Sequence, residues 1–298
     1  EESRAFFTAS SGKKLIVLGA GSFAHFLIGF LLIFTIFFGV GYTALLSNIA
    51  QVTPNSAAAE AGFRVGDKII EVDGQKVKDW YLDSRKIAES DGKQMRFTID
   101  RAGEILTLTA TPQYLQDQKR YVLGVVTQIG NKRESFFPAI AASAKATATL
   151  TKESVKSLFA LPSKVPQLIR QTFMGEERNP DGLVGIVGAA RVSGDAVSSQ
   201  KLNSNERVTT FILIVASLNI FVGLFNLLPF LPLDGGHMAI AIVDGVRRQN
   251  ARLRKRPTPE PFDVVRLVPL TLAVIVVMGG LSLLLLAADI INPLRLNF

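Results

Sequence analysis

Between Phe211 and Leu233 the only polar side chains are Ser217, Asn219 and Asn226, and directly after this apolar run stands a carboxylate, Asp234. The stretch from Asn226 to His237 carries Pro229, Pro232, Asp234, Gly235 and Gly236 within eight positions. A run of this length and composition can enter a bilayer core about 30 Å thick. It does not end as an ordinary membrane helix would: each proline removes a backbone donor and restricts its predecessor, and the glycine pair tolerates backbone conformations that other residues avoid. Irregular backbone at membrane depth is tolerated where protein or a water-filled cavity covers it, and an ionisable residue beside such a break marks a functional site by default. The competing reading is that Asp234 lies just past the cytoplasmic end of its span and caps the segment after it.

The elements that must position this carboxylate follow from composition. The chain has 298 residues, is 48% hydrophobic and carries a formal charge of +8. Its apolar residues are clustered, which predicts a membrane protein with a soluble domain. Its densest basic run, Arg247 to Arg256, sits between two apolar segments, so positive-inside sorting accounts for the charge and no nucleic-acid partner is predicted. With no cysteine, neither a disulfide framework nor a thiolate metal site can form, and with only His25 and His237 a histidine-rich site is excluded. Residues 1–4, Glu-Glu-Ser-Arg, do not resemble a signal peptide, and the natural gene is expected to begin earlier.

Taken in order, residues 1–14 form a cytoplasmic flank with Arg4, Lys13 and Lys14, and 15–43 form a first span, of which Phe23 to Tyr42 suffices to cross. Gly19-Ala20-Gly21 would let a neighbouring helix approach closely. His25 reads as an interfacial or bundle-facing histidine, with metal ligation the alternative. Residues 44–115 carry strand, cap and turn signals. These are Ile49 to Val52, a turn at Pro54-Asn55-Ser56, a short helix Ala57 to Ala61 closed by Gly62, and Asp67 to Val72 running into an Asp73-Gly74 turn. A helix over Asp79 to Glu89 and two strands, Met95 to Asp100 and Glu104 to Ala110, follow. Residues 116–206 are read as a connector, with strand-like alternation at Tyr121 to Ile129, helical spacing from Pro138 to Phe173 broken at Pro162 and Pro166, and a buried or amphipathic segment at Leu183 to Val192. A second span with the broken Asp-Gly motif occupies 207–246, a basic cytoplasmic loop 247–263, and a last span with its tail 264–298. With the basic loop inside, residues 44–206 and the C-terminus fall outside.

Pro-Asn-Ser-Ala-Ala at 54–58, Ala-Gly-Phe-Arg-Val-Gly-Asp at 61–67 and Val-Asp-Gly at 72–74 together resemble a PDZ domain of the bacterial type. The resemblance implies capture of an extended peptide at an open sheet edge; a spacer or size filter is the other reading. Asn226-x-x-Pro229-x-x-Pro232-x-Asp234-Gly235, preceded by this domain and by Gly21-Ser22-Phe23-Ala24-His25, resembles the site-2 protease family of intramembrane zinc metalloproteases. The resemblance implies a multi-pass α-helical membrane protein with an inserted α+β PDZ-like domain, in a bacterial plasma membrane, that cuts membrane-spanning protein substrates. It also implies zinc as cofactor, Asp234 as third metal ligand, and Asn226, Pro229 and Gly235 along the substrate. In that family H-E-x-x-H supplies two histidine ligands and a general-base glutamate. No such motif occurs in residues 1–298, so these groups are expected upstream and this chain alone is not expected to be active. Gly21-Ser22-Phe23-Ala24-His25 departs from the family's Gly-Pro-x-x-Asn, and His237 is read as a loop residue or one that supports the ligands from behind, rather than as a ligand. The rival class is a membrane-anchored PDZ scaffold or degenerate homologue without catalysis; a transporter fits less well, since no internal repeat is present.

Overall fold

The computed structural model describes residues 10–179, 182–257 and 259–294. Arg4 of the predicted flank and the tail at 295–298 lie outside them. The chain divides into two compact units, one formed by residues 1–40 and 134–298, the other by Gly41–Arg133.

In the helical unit, α1 (Ser11–Phe34) begins twelve residues earlier than the minimal span predicted from Phe23 and ends in a π-helical turn, Thr35–Val40. After the sheet unit come α5 (Phe136–Phe159), α6 (Leu161–Phe173), α7 (Ile186–Ser198), α8 (Ser204–Asn226), α9 (Asp234–Leu253), a short 3-10 turn and α10 (Val268–Ile291). Among the described residues, three helical segments are long and apolar enough to cross a membrane: Ser11–Val40, Ser204–Asn226 and Val264–Ile291. The polar start of α8 is set by a capping box, in which the Asn203 side chain accepts from the Glu206 N–H and Glu206 accepts from the Asn203 N–H. Small residues bring α1 and α8 together. A Cβ on Gly29 would stand 2.7 Å from Ile220 Cγ1, and one on Gly223 would stand 2.9 Å from His25 Cβ and 3.2 Å from the Ser22 carbonyl oxygen. Ile33, Ala216 and Ile220 are buried at this seam, with Ala146 and Leu150 of α5 packed on it.

A buried ion pair ties α10 to the segment before α7. Arg178 Nη2 donates to Asp289 Oδ1 at 3.1 Å and to the Leu183 carbonyl at 2.6 Å, while the Gly188 N–H donates to Asp289 Oδ2 at 2.7 Å. Both side chains are almost fully enclosed, and a Cβ at Gly188 would stand 2.7 Å from Asp289 Oδ1. The predicted connector is therefore helical from Phe136 and packs with the apolar helices. The predicted basic loop is helical as far as Leu253, because the apolar positions Ile242, Val246 and Leu253 continue one face of α9 through the charged residues.

The sheet unit orders its strands β5-β4-β2-β1-β8, with β3 on β2. These are β1 (Tyr42–Val52), β2 (Lys68–Val72), β3 (Gln75–Lys76), β4 (Met95–Arg101), β5 (Glu104–Ala110) and β8 (Val125–Lys132); β6 (Gln113–Leu115) and β7 (Arg120–Val122) form a separate hairpin. β8 runs antiparallel to β1, Tyr42 opposite Lys132 and Val52 opposite Val125, so the unit extends to Arg133 rather than closing at 115. The predicted helix over 79–89 is two short helices, α3 (Trp80–Asp83) and α4 (Arg85–Ala88); α2 is Ala57–Glu60, capped by Ser56. Two tight turns have both central residues at positive φ, Asp73-Gly74 and Ala102-Gly103, which matches the twist of a two-residue hairpin. The core gathers Ile49, Ile69, Phe97 and Ile99, with Phe63 edge-on to Phe97 at 5.5 Å and Trp80 beside them.

Under this core Asp67 is enclosed and paired with Arg101, Nε to Oδ1 at 2.7 Å and Nη2 to Oδ2 at 2.8 Å. Burial works against ionisation of Asp67, but the hydrogen bonds from Arg101 and the Arg64 N–H, with the charges of both arginines, hold its carboxyl below the usual range. A depressed carboxyl stabilises the fold above the ordinary value of 3.8, and that contribution is lost as pH falls through the lowered one. Arg101→Met leaves a buried carboxylate without its cation, so the unit is expected to lose about 3 kcal/mol near neutral pH. As pH falls toward 3.8 the variant should recover stability as that carboxylate protonates, while the wild type keeps its contribution there and loses it only at lower pH. The chain's one tryptophan, Trp80, lies in this core and reports the transition by fluorescence in the intact protein; a variant that melts like the wild type across this pH range contradicts the assignment.

Candidate functional site

The apolar helix α8 stops at Asn226, and residues 227–233 turn back before α9 starts at Asp234. The prolines explain the stop, since neither Pro229 nor Pro232 can donate to a helical ladder. The turn keeps its own bonds, Phe230 N–H to the Leu228 carbonyl at 2.7 Å and Leu233 N–H to the Phe230 carbonyl at 2.9 Å, and the Leu231–Pro232 peptide is cis. The glycine pair is required by how closely this turn lies against α9. A Cβ on Gly235 would collide with the Leu227 and Leu228 carbonyls, and one on Gly236 would stand 2.6 Å from Leu231 N. The first turn of α9 therefore abuts the end of α8, directly after Asn226.

Asp234 is the first helical residue of α9; Leu233 holds the capping position and makes no side-chain bond. The cap reading of Asp234 thus has no hydrogen bond behind it. Its half-buried carboxylate forms no hydrogen bond or ion pair among the described residues, and the positive end of the α9 dipole favours its negative charge. It faces α1: a Cβ on Gly21 would stand 3.7 Å from Asp234 Oδ2, and one on Gly19 would stand 3.8 Å from Met238 Cε. Gly21 is thus the floor of the carboxylate's surroundings.

One turn further along α1, His25 Nδ1 lies 3.1 Å from Asn219 Oδ1. Asn219 Nδ2 donates to the Val215 carbonyl at 2.9 Å, which fixes Oδ1 as the acceptor, so His25 donates from Nδ1. This bond places His25 as an α1–α8 contact. His237 is exposed on α9 three residues after Asp234. Among the described residues no three His, Asp or Glu side chains converge on a metal position. Asn226 is half-buried and Pro229 exposed; with Leu231, Ala239, Ile240 and Leu270, Pro229 lines an apolar cavity of about 210 Å³. The pairing of Asn219 with His25 is the feature sequence reading missed, although both polar residues stand out within their apolar runs.

In the sheet unit a groove of about 570 Å³ lies between α3–α4, contributing Trp80, Ser84, Ile87 and Ala88, and the start of β8 at Val125, with Leu115 and Arg120 of the hairpin at its side. β8 ends the sheet path. Gly124, at φ +86°, packs against Ser56, and the Ala58 and Thr53 N–H groups donate to the Leu123 and Gly124 carbonyls, which holds the groove's entrance loop in place.

The described residues thus hold three helical segments long and apolar enough to cross a membrane, a sheet unit with an open edge, and an unpaired carboxylate at a helix break. The chain belongs to Peptidase family M50, the site-2 protease family, whose sequence profile matches residues 1–268. It is 29% identical to the zinc metalloprotease Rip1 of Mycobacterium tuberculosis over 99% of this chain and 79% of that protein. It is 30% identical to a putative zinc metalloprotease of Mesorhizobium japonicum over 84% of this chain and 66% of that one. The PDZ domain of an SdrC-like protein from Listeria innocua covers 30% of this chain and 99% of its own length, at 16% identity and a TM-score of 0.27.

The tight α1–α8 approach at Gly223 is testable. Gly223→Ala places a methyl 2.9 Å from His25 Cβ and forces the helices apart. Overpacking of this kind costs about 1–3 kcal/mol. The detergent-solubilised protein should lose thermal stability in its helical unit, followed by circular dichroism, while the Trp80 transition stays in place. A concerted shift of both transitions would show that the effect is not local.

Proposed function

We infer that the intact protein is a zinc-dependent intramembrane protease that cuts membrane-spanning substrates, with Asp234 as the third metal ligand. The observation that carries this is the Asp234 carboxylate, held at a helix N-terminus against Gly21 with no partner among the described residues. An unpaired carboxylate in apolar surroundings is costly, and a cation is what relieves it. A carboxylate oxygen is a suitable zinc donor, and a catalytic zinc takes three protein ligands, of which Asp234 would be one. Zinc bound there supplies a Lewis acid and lowers the pKa of water. The residues of this chain bind and orient. Asn226, at the end of α8, offers its amide to an unwound substrate backbone, while Pro229 and the Gly235 turn keep the adjoining backbone irregular. The membrane is the bacterial plasma membrane, with the sheet unit on its outer side and the arginines of α9 on its inner side. The groove beside β8 admits an extended peptide by strand addition and so selects or times substrates.

Two measurements bear on this reading. Asp234→Ala should abolish cleavage of a membrane-spanning reporter and lower the stoichiometric zinc of the purified intact protein, with insertion unchanged. Normal turnover by that variant refutes the ligand assignment, and a wild type without stoichiometric zinc favours the scaffold reading. For the groove, Ala88→Arg should weaken binding of an extended peptide with apolar side chains, read from Trp80 emission, by about tenfold, equivalent to about 1.4 kcal/mol. Zinc content should stay unchanged. Unaltered peptide affinity would remove the groove from substrate selection.

A further inference from the structure

The far end of α9 carries a second site, which does not depend on the protease reading. The helix ends in a reversed turn in which the Lys255 N–H donates to the Arg252 carbonyl at 3.2 Å and the Arg256 N–H to the Ala251 carbonyl at 2.8 Å. This is a Schellman closure, and its left-handed position, ordinarily glycine, is Lys255 at φ +51°. That backbone is strained for a side chain with a Cβ, and it folds the chain back on the helix. The result is a concave pocket of about 260 Å³ formed by Arg247, Asn250, Arg254 and Arg256, with Pro257 and Pro259 as a rigid wall.

Three arginines thus line one open cavity with little to neutralise them. Arg254 and Arg256 form no ion pair among the described residues. Arg247 has Asp244 at 3.6 Å, and that carboxylate already accepts the Phe262 N–H at 2.9 Å. Guanidinium forks match the oxygens of a phosphate group. A neighbouring surface decides the source of the phosphate. Ile242, Val246 and Leu253, exposed to 50%, 58% and 77%, share one face of α9 within about 40°, and positions 247, 250 and 254 follow that face at about 80–140°. An apolar stripe bordered by a phosphate pocket is the arrangement of a helix lying in a lipid interface.

The geometry points to a binding site for the phosphate of an anionic phospholipid, held by Arg247, Arg254 and Arg256 with its acyl chains along Ile242, Val246 and Leu253. The intact protein is delipidated in detergent and titrated with phosphatidylglycerol, phosphatidylcholine or inorganic phosphate, and bound lipid is counted by native mass spectrometry. Phosphatidylglycerol should be retained selectively. Arg256→Gln, a change at an exposed side chain, should weaken that retention about fivefold, and R247Q/R254Q/R256Q should weaken it on the order of a hundredfold, with phosphatidylcholine unaffected. Equal retention of the two lipids, unchanged phosphatidylglycerol binding in Arg256→Gln, or displacement of phosphatidylglycerol by an equal concentration of inorganic phosphate would each overturn the proposal. Should the triple variant not fold, Arg256→Gln alone decides.

Discussion

How closely α1 can approach its neighbours governs the helical unit. Between apolar helices in a bilayer, water supplies no driving force, so association rests on van der Waals contact and a few polar bonds. Gly29 and Gly21 of α1 and Gly223 of α8 allow that contact at successive levels, Gly29 and Gly223 between α1 and α8 and Gly21 against Asp234 of α9. The His25–Asn219 hydrogen bond lies between these levels and fixes the register of α1 against α8. Were α1 displaced, the carboxylate of Asp234 would lose its floor.

The sheet unit obeys a different constraint. Its outer strand, β8, pairs with β1 across more than seventy residues of intervening chain, so the groove beside it exists only after the whole unit has folded. The Asp67–Arg101 pair fastens the turn before β2 to the end of β4 and to the Gly62 carbonyl, which keeps α2 and its loop in place under the groove's entrance.

Local signals and non-local ones were unequally legible in the sequence. The turn at Asp73-Gly74, the Ser56 cap, and the strands at 95 and 104 are written in short-range chemistry, and they stand where their residues predict. β8 was visible as alternation at Tyr121 to Ile129, but its partner was not, because Gly124 and the β6–β7 hairpin separate it from the other strands. At the site, the prolines and glycines around Asp234 announced a break, and that break is present. That Gly21 is what the carboxylate faces, and that Asn219 holds His25, could not be read from spacing, since each depends on the rotation of one helix against another. The Arg178–Asp289 pair was hidden for a similar reason: Asp289 follows an apolar run as any span-ending acid does, and its partner lies more than a hundred positions earlier.

The helix α9 joins the two polar sites of this unit. Its twenty residues extend about 30 Å at 1.5 Å per residue, with Asp234 in the first turn and Arg252 in the last. Both ends agree with the helix dipole, an anion at the N-terminus and cations at the C-terminus, so the charges at each end stabilise the helix rather than strain it. The glycine pair at its start and the strained Lys255 turn at its end fit the two terminal sites to their surroundings, and the segment between is continuous helix. A rod of that kind cannot absorb a displacement at one end by bending in the middle. Whatever holds the arginine end therefore also bears on how the carboxylate of Asp234 sits against Gly21 of α1.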